Sequence, residues 1–238
     1  MGICAVWGPP QSGKTTLAID MAFALSMDGQ SVCLISPEFY SELSIRLNTR
    51  IMPSKSLAAV RSSKESIKQL VHTVDELLYV LAVPIENDAF GEEISEEKAK
   101  EILNQAIAVF DHVIVDCPSH AGSVMAAWAL NMADDILLLT GGKPESVLWN
   151  KSYKRAIAAV EDKLWHICVE VNAHFDYHAL NTLLETKTDV WLPHVKGADL
   201  LISENRSLYL VRAKGTKAYS RGVDDICYLL YGEEDMDE

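Results

Sequence analysis

The chain has 238 residues, 49% hydrophobic and 23% charged, with a formal net charge of −13. That length suits one sizeable α/β domain with a full core, and no Pro/Gly/Ser-rich linker divides it. The acidity excludes a surface built as a whole for nucleic-acid phosphates. No apolar run is long enough to cross a bilayer.

In chain order, the apolar run Ile3-Cys4-Ala5-Val6-Trp7 is read as a strand, and Gly8-Pro9-Pro10-Gln11-Ser12-Gly13-Lys14-Thr15 follows it with the spacing GxxxxGK[ST]. In that pattern the glycines let backbone N–H groups converge on phosphate oxygens. The lysine reaches the β and γ groups, and the threonine hydroxyl ligates magnesium. A helix starting at Thr16 points its positive end at the same anion. Residues 8–16 are therefore the expected nucleotide contacts, with ATP and Mg2+ as the expected ligands, Lys14 as a catalytic cation and Thr15 as a metal ligand. The competing reading is a Gly/Pro-rich surface turn.

The helix is predicted over 16–27, closed by Asp28-Gly29, and a buried strand over 31–35. Residues 41–72 carry mixed helical patterns broken at Pro53, with Arg46, Arg50, Lys55, Arg61 and Lys64 scattered through them. A strand over 77–83 ends at Pro84. Ser95 has the character of an N-cap, with Glu96 and Glu97 in the first turn of a helix reaching Val109. Further expectations are a strand over 112–116, a helix over 126–133, a strand over 136–140 and a helix over 145–161. A strand over 165–171, a short helix over 177–185, a strand over 190–193 and a closing helix over 219–231 complete the chain. Continuous apolar strands alternating with helices imply a three-layer α/β fold of the P-loop NTPase type: a mainly parallel, twisted sheet with helices on both faces. One domain over 1–232 is expected, followed by an acidic tail over 233–238.

Val113-Ile114-Val115-Asp116 sets a carboxylate at a strand end, where beside a phosphate loop it can hold a magnesium-bound water. Asp116 is therefore a second metal and catalytic candidate; without the phosphate loop it would read as a strand cap. Phe110-Asp111-His112-Val113-Ile114-Val115-Asp116-Cys117-Pro118-Ser119 resembles the FDxVIVDxP segment of the MinD/ParA superfamily of P-loop ATPases. The 77–84 strand with Ile94-Ser95-Glu96-Glu97 is similar to the CpaE/TadZ branch, whose members act in pilus assembly. Ala133 to Thr140 resembles the strand that follows in the superfamily. The resemblance spans essentially the whole chain. It implies that Asn172, in Glu170-Val171-Asn172, recognises adenine, and that Pro193 lies on the base-binding side. It also implies an ATP-dependent homodimer acting on a protein partner of a larger machine.

The chain departs from that pattern in three places. Pro9 stands where the superfamily carries a signature lysine that reaches the partner's nucleotide, which implies slow intrinsic hydrolysis. The acidic water-positioning residue is matched only by Glu38 in Ser36-Pro37-Glu38, which is either catalytic or a solvated loop acid. Cys117-Pro118-Ser119 lacks the early glycine of many switch segments, although Gly122 follows.

The five cysteines are odd in number and lack a CxxC pair, which fits a reducing, cytoplasmic setting. With the phosphate motif starting at Gly8, no signal segment is expected before it. His174 and His178 have i, i+4 spacing without an HExxH pattern, so a surface or capping role is expected rather than zinc. Two basic clusters, Lys151, Lys154, Arg155 and Lys163, then Arg212, Lys214, Lys217 and Arg221, raise a DNA-binding reading, but solvated helix faces are favoured. An acidic tail is repelled by anionic lipid, so no direct membrane anchor is expected. The five tryptophans are read as core or interface filling. Two other functions fit the phosphate loop: a RecA/KaiC-like ATPase, recognisable by a strand inserted between the phosphate-loop strand and the Asp116 strand, and a small-molecule ATP-dependent synthetase.

Overall fold

The computed structural model of the protein describes residues 2–60, 65–86, 94–120, 122–211 and 215–232. β1 (Gly2–Trp7) leads into α1 (Lys14–Met27) and β2 (Val32–Ile35). Three single-turn helices follow, α2 (Leu43–Arg46), α3 (Leu57–Val60) and α4 (Ile67–Leu70), then β3 (His72–Thr73) and β4 (Leu78–Leu81). Next come α5 (Glu96–Val109), β5 (His112–Asp116), α6 (Val124–Met132), β6 (Asp135–Thr140) and α7 (Pro144–Ala158). The chain continues through β7 (Leu164–Val169), α8 (Tyr177–Leu184), β8 (Val190–Leu192), α9 (Ala198–Ser203) and α10 (Lys217–Tyr231).

The strands form one sheet in the order β3-β4-β2-β5-β1-β6-β7-β8, parallel throughout except where the short edge strand β3 runs antiparallel to β4. β1 lies at the centre. Its residues alternate between two layers, as a doubly covered sheet requires. Ile3, Ala5 and Trp7 pack with Ile102, Leu103 and Ala106 of α5 and Met125 and Ala129 of α6. Cys4 and Val6 face the opposite layer, with Leu17 and Met21 of α1 and Val223 and Ile226 of α10. All five cysteines are free and buried, and they behave as small apolar side chains.

β1 pairs directly with β5, with Val6 opposite Asp116, and with β6 on its other side. No strand separates the phosphate-loop strand from the Asp116 strand. The strand order therefore rules out the RecA/KaiC arrangement.

Local chemistry explains the element boundaries. The Ser95 hydroxyl accepts the Lys98 N–H at 3.3 Å and starts α5, with Glu96 and Glu97 in its first turn. α6 begins two residues before its expected start because the Ser123 hydroxyl accepts the Ala126 N–H at 3.2 Å. α7 ends at Ala158, three residues short of the expected end, and a separate 3-10 turn over Glu161–Lys163 leads into β7. The mixed patterns of 41–72 resolve into the three single-turn helices and β3, and α9 was not foreseen; elements this short give no readable period. The basic residues Arg61, Lys64, Arg212 and Lys214 and the acidic tail over 233–238 lie outside the described residues.

α1 is tied to the last third of the chain through a fully buried carboxylate. Asp20 Oδ1 accepts the Ser207 hydroxyl at 2.6 Å, and Oδ2 accepts the Tyr219 hydroxyl at 2.9 Å. Burial pushes the Asp20 carboxyl up to about 6, against the pull of those hydroxyl donors. In the unfolded chain an aspartate titrates near pH ~3.9. Between those values the native state holds the extra proton, so the stability contributed by Asp20 is full below about pH 4 and is lost as pH rises through about 6. Asp20→Asn keeps an acceptor for the hydroxyls but cannot ionise. Urea unfolding at about pH 4 and about pH 7 should show the variant gaining on the wild type by roughly 2 kcal/mol with rising pH. A difference that does not change with pH would contradict this role.

Candidate nucleotide site

The turn after β1 is held open by backbone geometry that side chains resist. Gly8 has φ +151°, and a Cβ there would lie 2.8 Å from the carbonyl oxygen of Leu139 on the neighbouring strand. Gly13 has φ +93°, and its Cβ would sit 3.2 Å from methyl carbons of Val169 and Val171. Gln11 between them is left-handed at φ +58°. The buried Ser12 hydroxyl donates to the Pro9 carbonyl at 2.9 Å and closes the turn on itself. α1 then starts at Lys14 with no side-chain cap and no acidic residue in its first turn, so its leading N–H groups are available to an anion.

Two contacts join this turn to the β5 end. Lys14 Nζ donates to Ser119 Oγ at 2.6 Å and to the Pro9 carbonyl at 3.1 Å. The Thr15 hydroxyl donates to Asp116 Oδ2 at 2.8 Å. Burial lowers the pKa of Lys14, opposed by the nearby charges of Asp116 and Glu38. Burial also pushes the Asp116 carboxyl up to about 6, opposed by the Thr15 hydroxyl and Lys14. Glu38 is shifted up by burial too, against the attraction of His120 and Lys14. Desolvated charges of both signs thus converge on one spot.

These groups open onto a cleft of about 770 Å3. Pro10, Gln11, Gly13, Lys14, Thr15 and Thr16 of the turn and the start of α1 line it, with Glu38, Tyr40, Glu42 and Arg46 from the stretch after β2. Ser119 and His120 from the segment after β5, Trp149 and Tyr153 of α7, Val171 and Ile202 also line it. Trp149 Nε1 donates to the Ser119 carbonyl at 2.6 Å. Its ring stacks on Tyr153 at 4.5 Å and meets Trp7 edge-on at 5.0 Å. This aromatic cluster joins the end of β1, the segment after β5 and α7. Lys143, just before α7, donates to Gln11 Oε1.

The expected site residues divide accordingly. Lys14, Thr15, Asp116 and Glu38 converge, whereas Gly8, Pro9 and Ser12 form the frame of the turn behind the cleft surface. Asn172 and Pro193 are not among the residues lining the cleft. Asn172 Oδ1 accepts the His174 N–H at 2.9 Å, and the neighbouring Val171 reaches the cleft instead. Tyr40, Arg46, His120, Trp149, Tyr153 and Ile202 were not identified as site residues from the sequence. Ser119 was visible only as the end of the Asp116 motif. His178 stacks on Trp191 at 4.5 Å, and among the described residues no cluster of three or more His, Cys, Asp or Glu side chains could hold a metal. One hydroxyl and one carboxylate suit magnesium, which takes hard oxygen donors and keeps several waters and phosphate oxygens in its shell.

Gly13→Ala places a side chain on a left-handed backbone and against Val169 and Val171. Its cost should be about 1–3 kcal/mol in urea unfolding. Wild-type stability in the variant would contradict the strain at this turn.

The AAA domain family model matches residues 11–164. The chain is 28% identical over 158 residues to the tyrosine-protein kinase YwqD of Bacillus subtilis, covering 65% of each chain. It is 27% identical over 135 residues to the chromosome partitioning protein ParA of Myxococcus xanthus, covering 53% of this chain and 47% of that one. The chain thus spans about half to two thirds of the length of these curated relatives. Among solved structures, the septum site-determining protein MinD of Pyrococcus horikoshii, complexed with Mg-ADP, superposes with a TM-score of 0.76 at 16% identity, covering 99% of both chains. The chain belongs to the AAA domain family and carries the fold of the MinD/ParA ATPases.

Proposed function

We propose that the chain binds ATP with magnesium in this cleft and works as a nucleotide-dependent dimeric switch that recruits or places a protein partner. The observation that carries this reading is the convergence of Lys14, Thr15 and Asp116 at the open, uncapped start of α1. Desolvated charges in such a place are usual at functional sites, and the volume suits a nucleotide.

In this reading the backbone N–H groups of residues 11–16 cradle the phosphates, since Pro9 and Pro10 have none to give, and Lys14 leaves Ser119 to neutralise the β and γ groups. Thr15 and Asp116 hold the metal, Asp116 through a water. The bound metal supplies charge neutralisation on the phosphate oxygens. Glu38, placed beside Lys14 and lining the cleft, orients the attacking water. Asn172 and Pro193 flank the base beyond Val171. Pro9, in place of the superfamily's signature lysine, leaves no cation at that position to act across a dimer, so unassisted hydrolysis is slow. Resemblance to the CpaE/TadZ branch supports a role in a pilus or secretion system. Buried free thiols support a cytoplasmic setting. No helix among the described residues is long and apolar enough to cross a membrane. The working unit is a single domain over 1–232 followed by the acidic tail.

Light scattering with ADP, with ATP and magnesium, and with Lys14→Ala tests this reading. The expected result is a mass that doubles with ATP and magnesium only, and a variant that stays monomeric. A mass indifferent to nucleotide would contradict the switch, as would rapid ATP turnover by the isolated protein.

A further inference from the structure

Arg46 is a second cation lining the cleft, and among the described residues its partners are one hydroxyl and one exposed carboxylate. Its side chain is only 9% exposed, although it sits at the end of the single-turn helix α2. Nη2 donates to Thr16 Oγ1 at 3.2 Å, and Nη1 approaches Glu42 Oε2 at 3.5 Å. The Glu42 side chain is 66% exposed, so that long contact is screened by water. Asp20 feels the charge of Arg46, but its oxygens are already engaged by Ser207, Tyr209 and Tyr219. A guanidinium carries five N–H donors in a rigid fork. Among the described residues two of them meet acceptors, Thr16 at the edge of the usual range and Glu42 beyond it. A desolvated cation left in that state is costly unless a ligand completes it.

Its place along the cleft indicates which ligand group it would meet. Lys14 extends to Ser119 at the β5 side, and the charges acting on it include Asp116 and Glu38. Arg46 instead contacts Thr16, two residues further into α1, and acts on Asp20 one turn beyond. The two cations thus meet the first turn of α1 at different points, Lys14 reaching to Ser119 and Arg46 to Thr16. Resting on the reading of the cleft as an ATP site, we propose that Arg46 ligates the nucleotide's phosphate nearest the ribose, while Lys14 holds the outer phosphates. The fork matches two phosphate oxygens at once, which a lysine cannot do. Arg46 therefore reads a group that ADP and ATP share, and retains the nucleotide in both states.

Titration calorimetry with ADP and with ATP plus magnesium tests this on the wild type and on Arg46→Gln, Arg46→Lys and Glu42→Gln. Arg46→Gln should weaken both nucleotides by a similar factor, roughly tenfold, with thermal unfolding in the absence of ligand no lower than that of the wild type. Arg46→Lys should recover part of the loss. Glu42→Gln removes a competing carboxylate and should tighten binding. If Arg46 were only a brace for α2, Glu42→Gln would weaken binding in step with Arg46→Gln, and that result would overturn the proposal. Wild-type affinity in Arg46→Gln would also overturn it while leaving the ATP site standing. Absence of nucleotide uptake by the wild type would overturn both.

Discussion

The parallel pairing of β1 with β5 is the constraint on which the rest of the site depends. Its register sets Val6 opposite Asp116, and the Cys117 N–H donates to the Val6 carbonyl at 2.9 Å. The two strands therefore end together. The turn from Gly8 to Gly13 and the carboxylate of Asp116 emerge at the same level of the sheet. Apolar burial on both faces of β1 locks that register, because a one-residue slip would exchange its two core layers. Everything polar in the cleft is mounted on a frame that hydrophobic packing holds in place.

That frame holds charges at some cost. Lys14, Asp116 and Glu38 are all shifted toward their neutral forms by desolvation, and their mutual attraction only partly offsets this. Without a ligand, Lys14 makes do with a hydroxyl and a carbonyl, and Asp116 with one threonine hydroxyl. Such an arrangement favours a ligand that brings negative charge to the lysine and a cation to the aspartate, and a magnesium-bound polyphosphate brings both. Lys14 donates to the Ser119 hydroxyl and the Trp149 indole to the Ser119 carbonyl, so a phosphate that drew the lysine away would remove a partner from the segment that α7 holds.

Much of the fold was legible because the long elements carry strong patterns: apolar strands such as 112–116 and capped helices such as the one after Ser95. The phosphate turn was legible for a different reason, since glycine, lysine and threonine at fixed spacing encode both backbone conformation and chemistry. Arg46, Trp149 and Tyr153 were not, because their place in the cleft is set by tertiary packing. Arg46 was one of several basic residues in a stretch without a readable period. Trp149 and Tyr153 read as ordinary positions on an amphipathic helix. The base-side assignment of Asn172 and Pro193 rested on resemblance alone. Neither residue lines the cleft, whereas Val171 and Ile202 of the unforeseen α9 do.

The most direct measurement is a crystal structure with magnesium and a non-hydrolysable ATP analogue. The triphosphate should be wrapped by residues 10–16, with Lys14 Nζ moved from Ser119 to a phosphate oxygen and Thr15 on the metal. A nucleotide bound elsewhere, or a Lys14 still on Ser119 with the cleft empty at saturating ligand, would contradict it.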